Sequence, residues 1–274
     1  RQVLIMTPRL VSSQFGLMDD GLILGEVELI LQGDLRMDYD LQAGRFRPLY
    51  WLYFTMIYIL AGPNPFWFFI GHLTILLILL VEIRLIMKHL RAEDWQILLT
   101  SLMFIFSIPI IENFYTLSKG DPLSLMFILS SILCLEKIRK TNTKHSRWFF
   151  AILAFVSGLS AIWSKETAYI MVPIAALWSG YIYLKRNNFP VRERQAYFIY
   201  FGAMIASMAA FFLIREVWGA PPVTGGTFTQ RYTFTWESLI TRIPRWMTLF
   251  ANYFHNMIPF AAMILTIIFF DKSY

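Results

Sequence analysis

The sequence predicts an all-α fold: a polytopic transmembrane helix bundle of about seven spans, with an extracytoplasmic loop carrying interfacial helices. Three observations predict it. Hydrophobic residues make up 57% and aromatic residues 17% of the 274-residue chain, against 15% charged, a balance more apolar than soluble domains show. Apolar runs near the length that crosses a hydrocarbon core recur along the chain. The loops between them alternate between base-rich and base-poor, as loops on opposite sides of a membrane do.

Taken in order, the first residues hold an apolar stretch too short for a signal peptide or a span, so the chain is expected to begin just after a missing helix. The run 49–61 is also short and is closed by the breaker Gly62-Pro63-Asn64-Pro65, which marks it as interfacial or re-entrant. Near-spanning runs follow at 66–87, 95–111, 122–138, 148–163, 168–184, 196–214 and 249–270. These form one domain, 1–274, in which 1–64 is an outer loop, 65–214 the transmembrane core, 215–248 a second outer loop and 249–270 the last span. Within 215–248, Ala220-Pro221-Pro222-Val223-Thr224-Gly225-Gly226 reads as a mobile stretch and 236–246 as an amphipathic segment, together suited to a lid.

Charge orients this arrangement. Arg84, Lys88 and Arg91, then Lys137, Arg139, Lys140, Lys144 and Arg147, then Lys185, Arg186, Arg192 and Arg194 fill alternate loops, whereas the intervening short loops hold only Lys119 and Lys165. The base-rich loops are expected to be cytoplasmic. The net charge of +6 is spent on these loops and forms no continuous basic face, so no nucleic-acid partner is expected. Cys134 is the only cysteine, which excludes an intramolecular disulfide and a cysteine metal cluster. His72, His89, His145 and His255 lack metal-ligand spacing. His72, Asn252, His255 and Asn256 are expected to satisfy one another between helices. There is no phosphate-binding glycine loop for a soluble nucleotide.

The residues able to carry chemistry fall on the base-poor side. Asp19 and Asp20 precede a helix-like segment. Adjacent carboxylates repel, which suits one of them to act as a general base, although an Asp in this position is also a good helix cap. Arg45 and Arg47 precede Pro48 and an aromatic run, a placement that fits either phosphate binding by paired guanidinium hydrogen bonds or interfacial anchoring. Lys119 and Asp121 occupy one outer turn together with Glu112, and Lys165 and Glu166 occupy another. A charged pair between two apolar helices is costly unless it meets water or a partner, and a surface salt bridge in a tight hairpin is the simpler alternative.

In this order the segments resemble the GT-C superfamily of membrane glycosyltransferases, especially its protein O-mannosyltransferase and aminoarabinose transferase branches. The resemblance rests on Asp19-Asp20, Gly33-Asp34-Leu35, the GRFRPLYWL stretch from Gly44 to Leu52, the NPFWFFIGHL stretch from Asn64 to Leu73, the SKGDPLSL turn from Ser118 to Leu125 and the SKET turn from Ser164 to Thr167. It implies a fragment of a longer enzyme, with a first span before the acidic pair and further spans after Phe270. It also implies a polyprenyl-phosphate sugar as donor and a protein or glycolipid acceptor, with transfer on the extracytoplasmic face of a bacterial plasma membrane. Asp19 or Asp20 would be catalytic, with Asp19 preferred. Arg45, Arg47 and Lys165 would bind the donor phosphate, and Lys119, Asp121 and Glu166 would orient the site. No cofactor is expected; the family splits on divalent metal, and no metal ligand is assigned. A transporter or flippase for lipid-linked sugars is the competing class, and it should carry ionisable groups near the middle of its helices. A noncatalytic membrane scaffold is the third.

Overall fold

The computed structural model describes residues 11, 13–15, 19–33, 45–141, 143–185, 189–217 and 244, with Asp19 and Ile108 described by backbone alone. Among these the chain is all helical, with no strand. The helices are α1 (Asp19–Leu31), α2 (Pro48–Ala61), α3 (Pro65–His89), α4 (Asp94–Phe106), α5 (Ile108–Tyr115), α6 (Asp121–Lys140), α7 (Lys144–Ser164), α8 (Met171–Leu184) and α9 (Val191–Val217), with a 3₁₀ turn over Glu166–Ile170 before α8.

Local chemistry sets the boundaries. Proline stands in the first turn of α2, α3, α5 and α6, where its missing N–H costs nothing. The Asn64 side chain accepts from Phe66 N and caps α3, and the Thr143 side chain accepts from Ser146 N and caps α7. Gly62 closes α2 at a φ of 66°, a left-handed conformation that glycine adopts without strain.

Among the described residues, four helical segments are long and apolar enough to cross a membrane: Pro65–His89, Lys144–Ser164, Glu166–Leu184 and Val191–Val217. A fifth is available if α4 and the Pro109–Tyr115 part of α5, bent by 59°, count as one broken span. Pro109 lies just past the break, where it cannot continue the hydrogen-bond ladder of α4. Six of the seven expected spans fall on described residues, and these give four or five helices able to cross a membrane. The run 122–138 does form a helix, α6, but Asp121 opens it and Glu136, Lys137, Arg139 and Lys140 crowd its last turns. Its uncharged stretch is consequently shorter than the roughly 20 residues a span requires. This helix packs against α3, α7 and α9, so protein surrounds Ser124, Ser130 and Ser131. The expected last span, 249–270, the lid-like loop 215–248 and the cluster Asn252, His255 and Asn256 lie outside the described residues, apart from 215–217 and Pro244. The short run 49–61 forms α2, an apolar helix below spanning length, as expected.

One apolar cluster joins the elements. Phe46, just before α2, and Tyr50 and Phe54 within it pack with Phe68 and Leu79 of α3, Leu117, and Ala161 and Ile162 of α7. The surfaces turned away from it remain apolar: Leu60, Leu177 and Leu184 are 79%, 75% and 81% exposed. Soluble monomers rarely leave large apolar patches uncovered, so these helices are compatible with a multi-pass membrane protein.

Candidate functional site

The described candidate residues gather where α2 and α6 begin and α7 ends. Helix α6 starts with Asp121-Pro122, a sequence suited to a helix N-terminus because the proline needs no acceptor and the carboxylate meets the positive end of the helix dipole. Helix α7 stops at Ser164, and Lys165 turns into extended backbone before the 3₁₀ turn begins at Glu166. That break frees the Lys165 side chain to reach across, and its Nζ donates to Asp121 Oδ2 at 3.0 Å. The backbones approach as closely as the side chains. A Cβ at Gly120 would lie 2.6 Å from the Ser164 carbonyl oxygen and 3.1 Å from Tyr50 Cδ2, so only glycine fits between them. Ser124 Oγ donates to Ala161 O at 3.1 Å and continues the contact one turn deeper.

Arg47 joins from α2. It is buried, and its guanidinium carbon stands 4.4 Å from the centre of the Tyr50 ring, a cation–π distance. Tyr50 Oη in turn donates to Ser118 O at 3.0 Å. The contacts therefore run from Arg47 through Tyr50 to the turn that ends in Asp121, and from there to Lys165. Tyr50 was not among the sequence candidates. The signal was present, since Arg47 stands at the cap of α2 and Tyr50 in its first turn, so both lie at the same helix start.

The remaining candidates are arranged less tightly. Asp20, in the first turn of α1, is 5% exposed, and Ile23, one turn on, enters the cluster that holds Phe46 and Tyr50. The backbone of Asp19 opens α1. Helix α1 packs on α2, where Tyr58 Oη donates to Glu28 Oε1 at 3.0 Å; that hydrogen bond holds the Tyr58 phenol above its ordinary pKa. Burial pushes Tyr53 on the same helix upward as well. Arg45 and Lys119 are partly exposed. Glu166 takes no part in the Lys165–Asp121 pair, and its Oε1 is buried without a hydrogen-bond partner among the described residues. It interacts electrostatically with Tyr169, which also feels Arg215 at the end of α9.

Comparison with protein-family models, curated proteins and solved structures finds no match. The site must therefore be read from its own chemistry. A cleft of about 220 Å³ opens beside Asp121, with Asn113, Ser124 and Thr167 as its other polar members and Phe114, Leu125 and Ile128 among its apolar walls. Behind Phe114, with ring centres 6.3 Å apart, lies the buried His72. Its Nδ1 is 3.3 Å from both Tyr53 Oη and Phe68 O, while Nε2 has no partner among the described residues. No group of three or more His, Cys, Asp or Glu able to hold a metal comes together among the described residues. The arrangement offers two cations of different geometry at helix ends, a buried carboxylate and a largely apolar cleft. Together these suit an anionic group carried on an alkyl chain.

Proposed function

We propose that the chain transfers a sugar from a polyprenyl-phosphate-linked donor to a protein or glycolipid acceptor on the extracytoplasmic face of a membrane. The observation that carries this reading is the meeting of two distant turns, Ser118–Asp121 and Ser164–Glu166, through the Lys165–Asp121 pair and the Gly120–Ser164 contact. Their apposition supports the GT-C resemblance drawn from the same turns. In the proposed reaction Asp20 or Asp19 takes the proton of the acceptor hydroxyl or amine as that group attacks the anomeric carbon. The bond from that carbon to the phosphate oxygen breaks and the configuration inverts. The departing polyprenyl phosphate gains charge, which Arg47, Arg45 and Lys165 stabilise, while Asp121 holds Lys165 in place.

The test supplies purified protein with polyprenyl-phosphate sugars and acceptor and compares the parent with Asp19→Asn and Asp20→Asn. Loss of about 100-fold or more in one variant is expected, within the range of general-base contributions. Undiminished transfer in both would sink the carboxylate assignment, and absence of transfer in the parent would sink the enzyme reading.

One observation favours the transporter reading. Glu82 lies within α3, 6% exposed; Ser130 Oγ donates to its Oε1, and its Oε2 has no partner among the described residues. A buried ionisable group within a spanning helix is a mark of pathways and relays. Uptake of a lipid-linked sugar into protein-containing vesicles that Glu82→Gln abolishes and Asp20→Asn spares would favour transport over transfer.

A further inference from the structure

At the opposite end of the bundle, Arg139 pairs with both Glu136 and Glu193 and so neutralises the acids nearest the start of α7. Lys144 and Arg147 on the first turn of α7 are left without a carboxylate partner among the described residues. Two of the five N–H groups of Arg147 are used: Nε donates to Thr141 O at 3.2 Å and Nη1 to Gln195 Oε1 at 3.3 Å. With Trp148, Gln195 and Ile199, the two bases line a cleft of about 370 Å³ between α7 and α9.

Beyond this cleft the outward faces of α7 and α9 stay apolar, while Ala151 and Ala196 pack together behind them. On α7 that face carries Trp148 and Ile152, 56% and 59% exposed. On α9 it carries Ile199 and Gly202, and a Cβ at Gly202 would meet open space. The two helices are tied together further along where Ser207 Oγ donates to Phe155 O at 2.8 Å, about 16 Å along α7 from Lys144 at 1.5 Å per residue.

We propose that this cleft binds the headgroup of an anionic phospholipid, with one acyl chain lying along the outward apolar faces of α7 and α9. The inference rests on the membrane reading of the chain but not on the sugar-transfer reading. An ammonium and a guanidinium at the head, an indole at the level of the headgroup and an exposed apolar helix face below match a phosphate ester attached to a fatty chain. A soluble phosphate would use only the two bases.

The test is native mass spectrometry of the detergent-purified full chain titrated with phosphatidylglycerol, phosphatidylcholine or inorganic phosphate. The expected result is selective retention of phosphatidylglycerol, kept by Lys144→Arg and weakened about tenfold to thirtyfold in Lys144→Gln/Arg147→Gln, the loss expected for two bases near an anionic surface. Retention of phosphatidylcholine should be unchanged by the double variant, and inorganic phosphate should neither bind nor compete. Equal phosphatidylglycerol retention by parent and double variant, when both show the same thermal unfolding, would overturn the inference. Competition by inorganic phosphate at matched concentration would overturn the lipid as its source. If the chain is recovered in the soluble fraction without detergent, the membrane reading falls and this inference falls with it; if the chain stays in membranes but shows no lipid selectivity, only this inference falls.

Discussion

Gly120 shows how much one missing side chain can decide. The atom nearest a Cβ there is a backbone carbonyl oxygen, 2.6 Å away, and backbone cannot rotate aside as the tip of a long side chain can. Gly120→Ala is expected to push the two turns apart, at a cost of about 1–3 kcal/mol, seen as a lower unfolding temperature in detergent together with lost activity. Lys165 should behave in the opposite way. The Lys165 and Asp121 side chains are 25% and 38% exposed, so solvent screens the pair and it contributes at most about 1 kcal/mol to stability. If the proposed transfer is right, Lys165→Met should leave the unfolding temperature within a few degrees of the parent while sugar transfer drops about 100-fold, because a cation placed to face the leaving phosphate would act on the transition state. A large loss of stability in Lys165→Met would make the pair structural.

The helices place these residues, and here the sequence was legible to different depths. Apolar runs and breaker residues placed most of the described helices to within about a turn, because both signals act locally along the chain, but α5 was merged with α4 and its end assigned to a loop. The break at Ser107 and the partly charged ends of α6 were read as uninterrupted spans, since an apolar count over a window does not register where a helix bends or which neighbours surround it. The apposition of Ser118–Asp121 with Ser164–Glu166 was expected only as a shared side of the membrane. Their contact depends on how α6 and α7 cross, which no local pattern encodes. Glu82 escaped notice because it stands among leucines and isoleucines and its partner, Ser130, lies on another helix. Ser130→Ala is expected to destabilise the α3–α6 packing by about 1–2 kcal/mol. Combining it with Glu82→Met should cost less than the sum of the two single changes, because removing both polar partners leaves neither stranded. A thermal unfolding cycle measures this, and simple additivity would mean that the two groups do not interact.

For the molecule as a whole, the helix ends sort into two faces. Arg47, Lys119, Asp121, Lys165 and Glu166 stand at one, and the contacts Arg139–Glu193, Arg147–Gln195 and Lys140–His89 mark the other. The charge alternation read from the loops agrees with this division, because both express the direction of each helix. Which face lies outside is a matter for experiment. With Cys134 replaced by Ala, a cysteine at Ser118 should react with a membrane-impermeant maleimide in intact cells, and one at Thr143 only after permeabilisation. Labelling of both from outside, or the reverse pattern, would invert or dismiss the proposed orientation.

The Lys165–Asp121 contact also bears on the order of assembly. Both residues belong to α6, α7 and the turn that follows, a single hairpin of consecutive helices. As the chain is synthesised, this half of the site closes as soon as residue 165 is free to move, before α8 and α9 exist. The Arg47 half comes from the earlier α2 and must wait for that hairpin before Tyr50 can meet Ser118 and Gly120. Any defect that delays the α6–α7 hairpin thus leaves Arg47 without its dock, and such a chain is expected to be cleared by membrane proteases while its helices are otherwise inserted.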